Sequence, residues 1–277
     1  MVSFISRPGW CRVAAALGAV GLLAGCMQQD AQGPTVFGGQ GAKVASLDEK
    51  PLPSGAGDPA ALGPCGKNGP PSQGSLIDDF EDGDGRLFKV FERDGFWFGA
   101  SDKTEGSSVS PSGTFAAELI PAVESTKENR FAAHLVASGQ KEWGVVWGSA
   151  LHWTSKGLKC PLNVSAFAGL RFRAKGPGTV RVSVAVPEVV PKDGGGTCTE
   201  RCYDAHGKLF LLSDAWDSYE MRWEKLQQGG WGTEAHFTPE RVVNLALNVD
   251  VKHLPIDFWI DDLELIAKST PGQTAAR

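Results

Sequence analysis

Apolar and polar residues alternate with a period of two along much of the chain between Ser75 and Ala267. Such alternation gives a strand one dry face and one wet face, and it therefore predicts β-strands. The clearest runs are residues 170–175, 180–186, 219–224 and 243–250. Weaker runs predict further strands at 76–81, 96–99, 114–119, 131–137, 143–153, 208–212 and 258–266.

No long segment has the apolar spacing of an amphipathic helix, and Gly, Pro, Asn and Asp separate the strand-like runs. About eleven strands without alternating helices predict an all-β domain, namely an antiparallel β-sandwich of the jelly-roll form. The hydrophobic content of 42% suffices for a core, and nine Trp against three Met also favour a sheet protein.

The pattern divides the chain into four parts. Residues 26–74 contain ten Gly and seven Pro, a composition typical of disorder. They predict a flexible linker with a reach of roughly 40 Å, whose last part, near Cys65, could be tied to the domain. Residues 75–267 form the expected folded domain, and residues 268–277 are a polar tail.

The first 25 residues have the features of a secretory signal. Arg7 and Arg12 precede an apolar run at 13–25, which is shorter than the roughly 20 residues that span a bilayer. Leu23-Ala24-Gly25-Cys26 resembles the lipobox of bacterial lipoproteins. That resemblance implies cleavage before Cys26 and acylation of its thiol, with palmitate among the chains. The alternative is an ordinary secreted protein, with Cys26 a plain thiol.

Two or more acyl chains anchor a protein stably to a membrane. We therefore expect the chain in the cell envelope, lipid-anchored and with its domain periplasmic or surface-exposed. Met27, rather than Asp, follows Cys26. By the sorting rule of lipoproteins this residue favours the outer membrane. The net charge of −5 without a basic block excludes nucleic acid as an expected partner.

Four cysteines remain after Cys11 and Cys26: Cys65, Cys160, Cys198 and Cys202. In an oxidising compartment an even number predicts two disulfide bonds, for which three connectivities are possible. We favour Cys198–Cys202 within a Gly-rich loop, together with Cys65–Cys160 between the linker and the domain. A zinc site with four thiolates would require paired C-x-x-C spacing, which is missing.

Acidic residues cluster near both ends of the domain. Residues 78–85 carry five carboxylates, and dense oxygen ligands favour calcium. Near the other end, Asp261 shares strand parity with Trp259, Leu263 and Leu265. Its carboxylate should therefore point with the apolar set, where it needs a metal or a cation to neutralise it.

Four segments together resemble one family. They are residues 77–81 (IDDFE), 168–176 (AGLRFRAKG), 226–232 (LQQGGWG) and 258–263 (FWIDDL). They are similar to the galactose-binding-like jelly rolls of family 11 and related carbohydrate-binding modules. The resemblance implies a structural calcium bound by Glu81 and Asp261, with Asp79 a weaker third ligand. The alternative is a solvated acidic turn and an Asp261 paired with a lysine.

Carbohydrate binding requires exposed aromatic rings with polar neighbours. Trp97 and Trp231 lie among Gly and polar residues, so we expect them to be exposed and to contact a glycan or glycoconjugate. In the run 143–153, Trp143, Trp147 and Trp153 share the parity expected for the core. The opposite parity gives a smooth face near His152, which we take as a third candidate ligand contact.

No sequence motif of a catalytic site is present, such as G-x-S-x-G, H-E-x-x-H or a phosphate-binding loop. The sequence therefore predicts a lipid-anchored, non-catalytic domain that binds carbohydrate. One alternative is a structural or assembly lipoprotein that binds protein partners. A polysaccharide-active enzyme is the third possibility.

Overall fold

The computed structural model describes Cys65 and residues 69–91, 93–114, 118–119, 124–154 and 159–268. The expected signal peptide, Cys26, most of the linker and residues 269–277 of the tail lie outside these ranges. Within them the chain forms thirteen strands and five 3-10 turns, and no α-helix. The predicted all-β class is confirmed. No helix in the described ranges is long and apolar enough to cross a membrane.

The strands have the following bounds in chain order: β1 Leu76–Asp78, β2 Phe98–Ser101, β3 Ser108–Ser110, β4 Gly113–Thr114, β5 Glu118–Leu119, β6 Phe131–Ser138, β7 Val145–Ala150, β8 Phe167–Lys175, β9 Gly178–Ala185, β10 His206–Leu212, β11 Asp217–Arg222, β12 Asn244–Val249 and β13 Ile256–Ala267. The 3-10 turns are Pro187–Val189, Lys192–Gly194, Trp223–Lys225, Pro239–Arg241 and Val251–His253.

The strands form two antiparallel sheets. The first has the order β11-β8-β13-β6-β3, with β1 also paired to β13 and β5 to β6. The second has the order β10-β9-β12-β7-β2-β4. The late strands enter the middle of each sheet, β12 between β9 and β7 and β13 between β8 and β6. This connectivity is that of a jelly-roll sandwich, as predicted.

The core lies between the inner faces of the two sheets. Val180, Val182 and Val184 of β9 are buried, as their alternation predicts. Aromatic rings join the sheets: Trp147 meets Phe258 edge-on with ring centroids 5.9 Å apart. Phe172 meets Phe210 in the same way at 5.3 Å. Edge-to-face contacts add to the free energy of burying these rings.

The predicted long strand at 143–153 is wrong at both ends, because β7 covers only Val145–Ala150. Trp143 is 51% exposed rather than in the core. The reason is that Gly144 has a φ of +100°, which interrupts the alternation. Trp153 lies beyond the strand and is half-buried. The short strand β3 was not predicted.

A β-bulge in β13 determines the position of Asp261. Phe258 and Ile260 point into the core before the bulge, and Leu263 and Leu265 point into it afterwards. The register with β8 shifts between Asp261 and Glu264, and Asp262 has a φ of +48°. Asp261 is buried, as expected. The cause is the bulge, however, and not an alternation that continues unbroken along the strand.

Two disulfides join the cysteine pairs that the sequence favours, Cys65–Cys160 and Cys198–Cys202. The segment after Cys65 packs against the sandwich, since the Ser72 N–H donates to the Asn163 carbonyl oxygen at 2.7 Å. Pro71 and Ser72, which precede the expected boundary at Ser75, therefore pair with the domain at Asn163.

Asp102 holds the turn that carries Trp143. One of its oxygens accepts the backbone N–H groups of Glu142, Trp143 and Gly144 at 3.0–3.1 Å. Burial would raise the pKa of Asp102, but the hydrogen bonds from Gly144, Thr104 and Glu142 outweigh burial and lower it to about 2. The carboxylate is therefore charged over the whole range in which the domain is expected to fold.

We predict that Asp102→Ala lowers the free energy of unfolding by about 2–3 kcal/mol at pH 6, the size of hydrogen bonds to a charged group. A depressed carboxyl pKa stabilises the fold fully above about pH 4, and this stabilisation is lost as the pH falls towards 2. Urea unfolding of the variant and the parent at pH 6 and pH 2.5 checks this. Exposed Asp214→Ala is the control, and an equal difference at both pH values contradicts the prediction.

Candidate functional site

Trp231 presents an exposed indole on a tightly bound loop. Its side chain is 56% exposed, although the loop beneath it is fixed by the buried carboxylate of Asp204. That carboxylate accepts four successive backbone N–H groups at 2.6–3.1 Å, from Gly229, Gly230, Trp231 and Gly232. Hydrogen bonds to a buried carboxylate are stronger than those between neutral groups. The loop therefore holds Trp231 in one position.

Glycine is required around Trp231. A Cβ on Gly232 would lie 2.3 Å from the Cβ of Asp204, and a Cβ on Gly229 would lie 2.8 Å from the indole Cδ1. Gly230 has a φ of +82°, a conformation that residues with a side chain rarely adopt. The Gly-Gly-Trp-Gly sequence thus lets the backbone close around Asp204 with the indole outside.

A second segment supports the same loop. The Nε of Arg201 donates to the Trp231 carbonyl oxygen at 2.9 Å, and the Thr233 N–H donates to the Arg201 carbonyl oxygen at 2.9 Å. Arg201 lies between Cys198 and Cys202, which are joined by a disulfide. The disulfide restricts the segment that contains Arg201, and it therefore also supports the Trp231 loop.

The Trp231 loop borders the outer face of the second sheet. Gln227 pairs with Gly207 of the edge strand β10, and Arg181 of β9 donates to the Gln227 carbonyl oxygen. On this face Ser183, Ala246 and Gly148 align across three strands. Beside them the Asn248 Nδ2 donates to the Ser183 hydroxyl at 2.7 Å. The face is small and polar, with Arg181 and Asn248 as its donors.

Trp97 and His152 do not lie at an exposed site, so these two expectations are wrong. Trp97 is 1% exposed, and its Nε1 donates to the buried Asp78 at 2.6 Å. His152 is 5% exposed, and its Nδ1 lies 3.3 Å from the Pro161 carbonyl oxygen. Polar neighbours in the sequence did not indicate exposure. The segment that leads into β2 directs the Trp97 side chain into the core.

Asp78 and Arg93 are two buried charged residues, close enough to interact electrostatically, that sequence reasoning missed. Burial raises the pKa of Asp78 to about 7, although its hydrogen bonds to Trp97 and Phe80 oppose the rise. Burial likewise lowers the pKa of Arg93 to about 10, and the charge of Asp78 opposes it. Arg93 donates to the carbonyl oxygens of Gly74, Leu76 and Phe88. Nothing in the spacing of these residues indicates the pair.

Two of the three expected calcium ligands contact the same segment of the chain. The Glu81 Oε1 accepts the N–H groups of Arg130 at 2.6 Å and Phe131 at 2.8 Å. The Asp261 Oδ2 accepts the amide of Asn129 at 2.9 Å. Asp79 instead accepts the Glu81 N–H in a local turn at 3.3 Å, and no contact between it and residues 129–131 is seen in the described part.

These residues fit a hard cation in part. Burial, opposed by Asn129, raises the pKa of Asp261 to about 6, and a bound cation would relieve the cost of that buried charge. Among the described residues, however, no three His, Cys, Asp or Glu side chains come together at one point. A calcium ion here would need carbonyl or amide oxygens beside Glu81 and Asp261, which calcium accepts readily.

The comparisons with known proteins give no match to a family model. Endoglucanase 3 of Fibrobacter succinogenes is 26% identical over 184 residues, covering 64% of this chain and 24% of the endoglucanase. The chain therefore spans less than a quarter of that curated relative.

Two solved structures have a similar fold. The family 11 carbohydrate-binding module of a cellulosomal cellulase of Clostridium thermocellum is 16% identical, with a TM-score of 0.45, and 73% of this chain and 99% of that module are covered. A family 30 carbohydrate-binding module is 15% identical, with a TM-score of 0.42 and coverage of 65% and 86%.

Proposed function

We propose that this domain binds carbohydrate without catalysis, and that a sugar ring stacks on Trp231. The observation that carries the proposal is the exposed indole on a loop that Asp204 and Arg201 hold rigid. The exposed indole offers a flat apolar surface to a ligand. Sugar binding sites use such flat aromatic surfaces with a few polar groups that orient the ligand.

Rigidity of the loop favours binding energetically. Ordering loops and side chains on association costs free energy, and a loop whose backbone is already fixed avoids the part that ordering the loop would add. The neighbouring sheet face offers Arg181, whose guanidinium donates inside the protein through one nitrogen only, as a hydrogen-bond donor for hydroxyl groups. A chain of sugar units could therefore stack on Trp231 and extend over β9 and β12. Because the curated relative is named an endoglucanase, soluble β-glucans are the first ligands to test.

We predict that Trp231→Ala weakens binding to a soluble β-glucan about tenfold, equivalent to about 1.4 kcal/mol. Affinity electrophoresis through gels that contain a panel of soluble glucans, mannans and galactans measures the effect. Trp143→Ala is a matched control, because Trp143 is exposed to a similar extent and its loop is also bound by a buried aspartate.

Equal weakening by both substitutions would contradict a specific role for Trp231. Retardation by no neutral glycan at millimolar concentration would overturn the proposal. That result would favour the alternative of a protein partner, for which Leu209 and Leu211 on the edge strand β10 offer an exposed apolar surface.

We further propose that calcium binds Glu81 and Asp261 and joins the start of the domain to β13. Saturating calcium should then raise the melting temperature by about 5–10 °C over the chelator-treated protein. Glu81→Gln and Asp261→Asn should each abolish the rise, whereas Glu105→Gln at an exposed position should retain it. An unchanged melting temperature of the parent protein with calcium and with chelator would remove both residues from the ligand set.

We propose, finally, that acylation of Cys26 anchors the domain in the cell envelope, as the lipobox resemblance implies. In bacterial cells the parent protein should incorporate labelled palmitate and enter the detergent phase on Triton X-114 partition. Cys26→Ala should do neither, whereas Cys11→Ala, within the expected signal, should do both. Label retained by the Cys26 variant would show that another residue is modified or that the assignment is wrong.

A further inference from the structure

A cavity lies beside the segments that precede β2 and follow β7. Its volume is about 370 Å³, within the range of small-molecule sites. The lining includes the aromatic residues Phe91, Phe96 and Trp153 and the charged residues Arg86, Lys89 and Asp94. Phe96 precedes β2 and Trp153 follows β7, so the proposed glucan surface beside β10 does not include this cavity.

Aromatic rings form much of the wall. Phe96 and Trp153 are stacked, with ring centroids 5.2 Å apart and planes inclined by 28°. Phe91 is 70% exposed, so its ring is available to a ligand. The cavity thus offers flat apolar surfaces to a ligand.

The charged residues carry a net positive charge. One oxygen of Asp94 accepts Arg86 and the other accepts the Lys89 Nζ at 2.8 Å. Burial would raise the pKa of Asp94, but hydrogen bonds from Lys89 and Arg86 and their charges outweigh burial and lower it. The Nζ of Lys159 lies 5.2 Å from the Trp153 ring centroid. Two cations therefore flank one carboxylate, with a third nearby on Trp153, in a chain whose overall net charge is −5.

Both cations keep donors for a ligand. A guanidinium has five N–H donors and a lysine ammonium has three, and each uses one with Asp94. Asp94 thus positions two cationic groups side by side. An anionic group on a sugar would find two positively charged donors there, while the sugar ring would lie against Phe91 or Phe96.

Backbone hydrogen bonds fix the two segments that form the cavity. The Trp153 N–H donates to the Asp94 carbonyl oxygen at 2.9 Å, and the Leu87 N–H donates to the Gly95 carbonyl oxygen at 3.0 Å. A Cβ on Gly95 would lie 2.0 Å from the Ala150 carbonyl oxygen, so only glycine allows this close approach. The aromatic and charged walls are therefore held together before a ligand arrives.

We infer that this cavity is a second saccharide site and that it selects acidic sugars, which carry a carboxylate or a sulfate ester. The anionic group pairs with Arg86 and Lys89, and the ring contacts Phe91 and Phe96. The inference does not depend on the proposed role of Trp231, because the two sites share no residue.

Affinity electrophoresis of the full chain tests the inference with matched polysaccharides. Polygalacturonate presents carboxylates, and its methyl ester presents the same backbone without charge. Dextran sulfate and dextran are the corresponding pair for sulfate esters. We expect retardation by polygalacturonate or dextran sulfate and none by the methyl ester or dextran. The stronger of the two anionic polymers identifies the preferred anionic group.

Lys89→Ala and Phe91→Ala should each weaken the retardation at least tenfold. Both side chains are largely exposed, so the fold should persist, and an unchanged melting temperature verifies this. Two substitutions at exposed positions are the controls: Lys103→Ala removes a lysine, as Lys89→Ala does, and Leu211→Ala removes an apolar side chain, as Phe91→Ala does. Both should leave the retardation unchanged. Trp231→Ala should also leave it unchanged, which separates this site from the proposed glucan surface.

Three results would overturn the inference: no retardation by either anionic polymer, equal retardation by the uncharged partner polymer, or full retardation of both variants. Raising the salt concentration should weaken the interaction, since exposed charges are screened. Retardation that is insensitive to salt would likewise contradict pairing with Arg86 and Lys89.

Discussion

A buried carboxylate that accepts several backbone N–H groups holds each of the two loops that expose a tryptophan. Asp204 binds four successive amides below Trp231, and Asp102 binds three around Trp143. A charge inside a protein is unfavourable unless donors saturate it. Each loop therefore closes around its aspartate in a single conformation, and the exposed indoles follow from interactions in the interior.

The strands could be predicted from the sequence because alternation is a local property. β8, β9, β11 and β12 lie where the pattern places them, and their packing makes a sandwich. The loops could not be predicted in the same way. Asp204 and Asp102 bind amides 25 to 42 residues away, and no local pattern records such a partner. The bulge at Asp261 and the burial of Trp97 could not be predicted for a related reason. One positive φ or one change of parity moves the following side chains to the opposite face of a strand.

Of the candidate ligand contacts, Trp231 is exposed and Trp97 and His152 are not. The difference depends on the neighbours in space. Trp97 has Asp78 as a buried acceptor for its indole, whereas Trp231 has its backbone bound and its ring outside. The sequence places Phe96 and Trp153 in two predicted strands, and Trp153 on the core face, but does not bring them together; only the paired segments around Asp94 and His152 do so.

The disulfide between Cys65 and Cys160 has a mechanical consequence for a chain that is held at Cys26. Tension applied through the N-terminal part would reach Cys65 and pass through the covalent bond to Cys160, which is buried. The three-residue strand β1 would be bypassed, although it lies next in the chain and is one of the shorter strands. Load applied between the domain and the residues before Cys65 would thus pass through the disulfide without peeling the first strand from β13.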